Sequence, residues 1–345
     1  ESVRIIGVGS SGKYATTLRF NLMNGGDLGL VELKSGACVE NLEIVQASSQ
    51  PEAVDTFAMA SLYSNVRIRR VSITAVRGIW LNSPENAVLE HVSMRISQTG
   101  LQLQNVNGAT VNHLSVTDLT GSYTSFAMVA DHCTVTLSDL RTFNVATALS
   151  LSGQTNLTGT LLALRGSFSG VLAAQSGNAL LTCAGSSNMN RSGSSVFLQG
   201  SDAFSGALTV QGAIVTGSSS EGNLIHAQNG TIALRAALIT APYETSLISA
   251  GNGQISVFGS IWENLPLCHA NATSGSITLA ANLLRSDKTF EGISGSYLQT
   301  AVTEPGSVKG DTNIIQYTYI EPEEGDGQES VTGSEANTET PEQKK

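Results

Sequence analysis

The 345-residue chain is poor in charge, in aromatic residues and in proline. Only 13% of its residues are charged and 5% aromatic, and there are 7 prolines. A charge content about half the usual quarter excludes helical bundles and coiled coils, whose exposed helix faces are built from charged residues. Basic clusters are absent, and the net charge of −10 works against nucleic acid as a partner. No apolar run approaches the roughly 18 residues of a membrane-spanning helix. The four cysteines (Cys38, Cys133, Cys183, Cys268) show no CxxC spacing and are widely scattered, so they read as free, buried thiols rather than as disulfides or a metal site. What the chain does have is 35 glycines and 41% hydrophobic residues, enough apolar material for a substantial core.

The charge is unevenly placed. Residues 321–345 hold eight acids, two lysines and almost nothing apolar, leaving sixteen basic and twenty acidic residues for the rest. Such a segment cannot bury enough surface to offset chain entropy and is expected to be a disordered acidic tail or linker. The chain starts at Glu1 without Met or a signal-peptide pattern, so a processed chain or part of a longer one is expected.

An octet of the form x-x-apolar-x-turn-x-apolar-x recurs eleven times. Its copies begin at Ala37, Val66, Ala87, Ala109, Val135, Leu162, Leu181, Leu208, Ile232, Ile255 and Ile277, at a mean spacing of 24 residues. The first half alternates with period two, a strand signature. The fifth position reads Asn41, Arg70, His91, His113, Asp139, Gly166, Gly185, Gly212, Ala236, Gly259 and Ala281. Asn, Asp, His and Gly tolerate a left-handed backbone best, so this column is expected to be a one-residue bend between two short strands. Arg70 and the alanines fit it less well.

A third strand precedes most octets: LVEL from Leu30, FAMA from Phe57, GIWL from Gly78, LQLQ from Leu101, FAMV from Phe126, ALSL from Ala148, VFLQ from Val196, LIHA from Leu224 and LISA from Leu247. Turns rich in Asn and Gly link it to the octet. Three short strands cannot bury their own apolar face, so the units must stack. Stacking gives about eleven coils and three parallel sheets around a narrow core. The expected organisation is an all-β solenoid over 1–290, a C-terminal cap over 291–320 ending in IIQYTYI from Ile314, and the tail over 321–345.

The octets, and the opening ESVRIIGVGSSGKYATTLRF before LVELKSGACVENLEI, resemble the right-handed single-stranded parallel β-helix of the pectate-lyase-like (pectin-lyase-like) superfamily. Val39-Glu40-Asn41-Leu42-Glu43-Ile44 matches its repeated unit, and Asn41 sits where that family often stacks asparagines. The resemblance covers roughly residues 3 to 290. It implies the fold and says little of activity, because members include lyases, hydrolases, phage tailspikes and adhesive surface proteins. Members usually carry an N-terminal capping helix. None precedes Ser2, so further upstream sequence is expected.

Enzymes of this fold use acidic calcium clusters with an Arg or Lys base, or several Asp residues in recurrent motifs. The chain has no Asp-Asp pair, Asn-Thr-Asp, Gly-His-Gly or Arg-Ile-Lys. Outward positions of the expected first sheet are mostly neutral (Gln102, Gln104, Ser150, Gln199, His226, Ser249), with Glu32 the exception. Loops after the octets carry acids and aromatics, among them Asp55, Asp118 and Tyr123. Glu32, Asp55, Gln102, Asp118 and Tyr123 are therefore the candidate glycan contacts. His91 and His113 should stack along one edge, as a pH-sensitive strip or a metal pair or, more simply, as bend residues in a ladder. No HxH or HExxH spacing points to a metal, and no cofactor is expected.

These features point to an extracellular, cell-surface or virion module that binds glycans or partner proteins without catalysis. The alternative is a polysaccharide lyase or glycoside hydrolase working in a groove along the first sheet. A tailspike version of either would be a homotrimer.

Overall fold

The computed structural model describes residues 4–10, 12, 15–20, 29–47, 56–82, 84–121, 124–165, 169–184, 186–189, 196–217, 224–240, 248–263, 268–291, 298–302, 307–311, 314–320 and 334–336. Every regular element among them is a strand. Each strand pairs in parallel with its counterpart one repeat later, except 334–336, which runs antiparallel to 314–320. The chain is therefore an all-β parallel solenoid with three parallel faces. About nine turns have all three faces described, fewer than the eleven expected.

The first face is a ladder of twelve strands, beginning with Gly29–Leu33, Phe57–Ser61, Arg77–Asn82, Thr99–Gln104, Phe126–Asp131 and Thr147–Ser152. The octets form the other two faces, which remain hydrogen-bonded into one 21-stranded ladder because the chain bends without breaking. At the bend Asn41, Arg70, His91, His113 and Asp139 have φ between 50° and 56°, and Ala236 and Ala281 have φ of 49° and 52°. Gly212 and Gly259 take 72° and 62°. One left-handed residue turns the strand by a corner, so residues on both sides of it point inward: Val39 and Leu42, Ile68 and Val71, Leu137 and Leu140 are all buried. These inward rows run from coil to coil as aliphatic ladders and make one continuous core.

Two octets lie elsewhere than their letters suggest. Val135 pairs with Leu157, and Leu137 with Gly159, so the sixth copy starts at Leu157 rather than Leu162. Leu157 pairs in turn with Ala179, so the seventh starts at Ala179 rather than Leu181. In TNLTGTLLALR the apolar residues 157, 161, 162 and 164 satisfy two registers, and only the neighbouring strands choose between them. Gly166 and Gly185, assigned to the bend column from the misplaced copies, lie outside the described residues.

Beyond residue 290 the strands 298–302, 307–311 and 314–320 pair in parallel with 268–272, 276–280 and 283–291. Cys133 is a buried free thiol whose pKa burial pushes up, whereas Cys38 is only half-buried, contrary to the expectation that all four would be buried.

Candidate functional site on the outer face of the first sheet

Alternation along the first-face strands sends every second side chain outward. One outward row reads Glu32, Ala60, Trp80, Gln102, Val129, Ser150, Leu172, Gln199 and His226 from coil to coil. The next reads Asn82, Gln104, Asp131 and Ser152. Glu32 is exposed and held by Lys34 at 3.1 Å, and Lys34 in turn lies 4.9 Å over the Tyr63 ring. Gln102 and Gln104 are half-buried, Gln102 beside Trp80 and Gln104 beside Asp131 in the ladder.

Trp80 is half-buried and stacks on Phe57, with ring centroids 5.9 Å apart and planes 27° apart. The Arg77 guanidinium covers the Phe57 ring at 5.6 Å, and Arg77 Nε donates to Gln98 Oε1 at 2.7 Å. The indole N–H of Trp80 is buried and meets no acceptor among the described residues, so the side chain offers carbon surface rather than a donor.

At the far edge of the face a second left-handed column turns the chain: Asn105, His132 and Gly153, with φ of 52°, 53° and 59°. The backbone ladder continues through it, from Asn105 N to Asp131 O and from His132 N to Ser152 O. Asn105 Nδ2 donates to Asn82 Oδ1 at 3.2 Å. Asp131 Oδ1 accepts from Ser152 Oγ at 2.8 Å and lies 3.1 Å from His132 Nδ1. The imidazole lies over Gly153, where any Cβ would run into the ring, so glycine is required there. Asp131, His132 and Ser152 thus form a fixed polar cluster beside the amides. Residue-by-residue reading of the sequence missed it. Aligning FAMVADH with ALSLSG strand to strand would have brought Asp131 and Ser152 together.

Glu32 and Asp131 lie four strands apart on this face, about 19 Å at the spacing of a ladder. A carboxylate pair for glycosidic cleavage needs roughly 5–10 Å. Asp118, expected at the ligand, is buried (3% exposed). Its Oδ1 accepts from Thr120 N, Thr120 Oγ1 and Gly121 N, bracing its own loop. Buried in this way it has no surface for a glycan. Asp55 and Tyr123 lie outside the described residues.

The bend column forms a separate charged edge. The His91 and His113 rings stack at 4.4 Å and 12°, so their ring nitrogens do not converge on a common point. His113 Nδ1 meets Asp139 Oδ2 at 2.6 Å, and Arg141 binds both Asp139 oxygens at 2.8 and 3.0 Å. The Arg141 hydrogen bonds, with a further one from His113, hold the Asp139 carboxyl below its ordinary pKa despite burial. Glu40 is likewise lowered, by hydrogen bonds from Cys38 and Arg4. Among the described residues no three His, Cys, Asp or Glu side chains come together as a metal would require.

No family model matches the sequence, and no curated protein matches it. Solved structures do. A mutant tailspike protein of E. coli bacteriophage HK620 superposes with a TM-score of 0.51 at 10% identity, over 92% of this chain and 74% of that one. Another mutant of the same tailspike, in complex with a hexasaccharide, gives 0.50 at 9% identity over the same shares. The chain is a right-handed parallel β-helix. The surface protein and adhesin PfbA of Streptococcus pneumoniae aligns over 90% of both chains at 8% identity, with a TM-score of 0.48. At such identities the β-helix likeness extends to the backbone path, and the side chains of each site are the chain's own.

Proposed function

We propose that the chain is a glycan-binding surface module whose ligand lies on the outer face of the first sheet. The observation that carries this reading is the Trp80 platform, stacked on Phe57 and paired with Gln102 in the next strand, with Gln104 and Asn105 beside Asn82 further along the same face. Aromatic carbon surface packs against the C–H face of a sugar, while amides donate to and accept from its hydroxyls. The polar cluster of Asp131, His132 and Ser152 bounds the site on one side and Glu32 with Lys34 on the other. Two features of the comparisons support the reading: the tailspike of the same fold is solved with an oligosaccharide, and it belongs to a virion. An extracellular or virion-surface location follows from the same reading. No described helix is long and apolar enough to cross a membrane.

The separation of Glu32 from Asp131, at least about 19 Å at the spacing of a ladder, favours binding over cleavage by a carboxylate pair. The test is a glycan array followed by calorimetry on the best ligand. Trp80→Ala should weaken binding at least about tenfold, Gln102→Ala should weaken it less, and near-ultraviolet circular dichroism of Trp80→Phe checks the packing. Reproducible depolymerisation of any polysaccharide would replace the binding reading with the lyase or hydrolase alternative. Unchanged affinity in Trp80→Ala would move the site elsewhere.

A further inference from the structure

The outward surface of the third face changes character along the rod. In the N-terminal coils its first outward row is Glu43, Ser72, Ser93, Ser115 and Arg141. In the C-terminal coils the row after the bend is Ile214, Leu238, Ile261 and Leu283, paired strand to strand. Ile214 is 48% exposed and Ile261 37%, and Phe258, just before the bend, is 55% exposed. The edge itself changes in the same coils. Its bend residues go from Arg70, His91, His113 and Asp139 to Gly212, Ala236, Gly259 and Ala281. Charge disappears from both columns over the same stretch, and bulk from the edge, leaving an aliphatic stripe beside a smooth corner. A row of aligned, solvent-facing aliphatic side chains is costly to leave in water, unlike scattered single ones.

We infer that this stripe is the contact between two copies of the chain, lying side by side with their rods parallel about a two-fold axis along the stripe. Three observations favour a second copy over another occupant. The stripe repeats at the strand spacing, about 4.8 Å, so each coil of an identical ladder meets its own counterpart at the same level all along its length. The small residues at the edge let two backbones approach closely. Charge is also complementary: Arg235 precedes the edge and Glu263 follows it one coil later, on opposite flanks of the stripe. A two-fold parallel to the rods runs the facing strands antiparallel and carries the Arg235 flank of one copy to the Glu263 flank of the other. Such an interface is self-complementary and closed. The stripe covers four coils and about five residues across the bend, roughly 300 Å² a side, below the roughly 800 Å² of a standard interface. The dimer is therefore weak and concentration-dependent. The two-fold keeps the coils of both copies in the same order along the rod and turns their first-sheet faces to opposite sides of the dimer.

Sedimentation velocity of the full chain over a wide concentration range tests this. The weight-average mass should rise from monomer toward dimer. Ile214→Asp with Ile261→Asp should raise the dissociation constant at least about tenfold, while Ser93→Asp with Ser115→Asp, on the polar half of the same face, should leave it unchanged. If the aspartates disturb folding by circular dichroism, Phe258→Gln alone, on the second face, should still weaken association. Geometry is read separately: Ile261→Cys should cross-link to itself under mild oxidation, and Ser93→Cys should not. A monomer at every concentration, or an oligomer insensitive to the stripe substitutions, overturns the proposal. So does a chain that stays monomeric and binds neutral lipid vesicles through Phe258.

Discussion

A side chain on a left-handed backbone costs about 1–2 kcal/mol, so a column of such residues persists only when the structure around it returns more than that. Here the return comes in two forms. The bend lets residues on both sides of it enter the core, and its own side chains stack coil on coil. Asn41 and Asp139 could be read as bend residues because their types favour the left-handed region, and the φ values of 56° and 55° agree with that preference. The pairing of His113 with Asp139 could not be read from one strand at a time, since the partners are 26 residues apart, on neighbouring strands. This pairing has a pH signature. The Asp139 carboxyl is lowered, first by Arg141 and then by His113, so it stabilises the fold at pH above the unfolded value of about 4 and loses that contribution as pH falls through its own lower value. Asp139→Asn keeps the shape and tolerates the backbone. The variant should melt lower than the parent at pH 6, and the gap should close as pH drops below about 4. Thermal melts from pH 6 to 2 measure it, and a constant gap would rule out the ion pair as its source.

Each coil is a first-face strand, a turn and a bent octet, and each was legible to the extent that its alternation admitted one register. LQLQ and FAMV align unambiguously. The Leu-rich stretch at 157–164 does not, and its octet was displaced until its neighbours fixed it through Leu157 and Val135. Loop residues were the least legible, because a carboxylate's letters do not say whether it faces solvent. Asp118 was expected at a ligand and instead braces its own turn. The inward position after the bend shows the opposite case, a polar residue at a core position. It is aliphatic through Leu42, Val71, Val92, Leu114 and Leu140, and becomes Ala213, Ala237, Ser260 and Asn282 in the later coils. There the polar groups close a short chain: Ser260 Oγ accepts from Ala237 N at 3.1 Å, Asn282 Oδ1 from Ser260 N at 2.9 Å, and Asn282 Nδ2 donates to Val257 O at 3.0 Å. Asn282 is 2% exposed, so water cannot replace it. Asn282→Ala leaves a buried amide and a buried carbonyl without this partner and should cost about 2–3 kcal/mol, measured by urea denaturation. Asn282→Asp should not rescue it, since an ionised carboxylate has no donor for Val257 O.

A rod in which each coil touches its neighbours has no single stability. It is closer to a sum of coil stabilities and coil–coil contacts, which lets one end loosen before the other. The octet strands supply an asymmetry. In the N-terminal coils they run unbroken for 8 to 12 residues, as in Val88–Ile96, Asn107–Asp118 and Thr134–Phe143. In the coils between residues 207 and 263 they divide into pieces of 3 to 5, as in Thr231–Arg235 with Leu238–Thr240 and Gln254–Phe258 with Ile261–Glu263. Longer strands bring more ladder hydrogen bonds and more buried aliphatic surface per coil. Native-state hydrogen exchange should therefore find residues 88–143 exchanging through global unfolding, and residues 231–263 at least about tenfold faster through local opening. Uniform protection along the rod would contradict a coil-by-coil account. The same experiment distinguishes the two surfaces described above. Trp80, Gln104, Asp131 and Ser152 belong to the stiff half, where little freedom remains to be lost, so a bound glycan should change exchange there only slightly. The aliphatic stripe belongs to the loose half. Raising the protein concentration should slow exchange at 231–263 and leave 88–143 untouched, because only the coils that open locally gain protection when a second copy covers them.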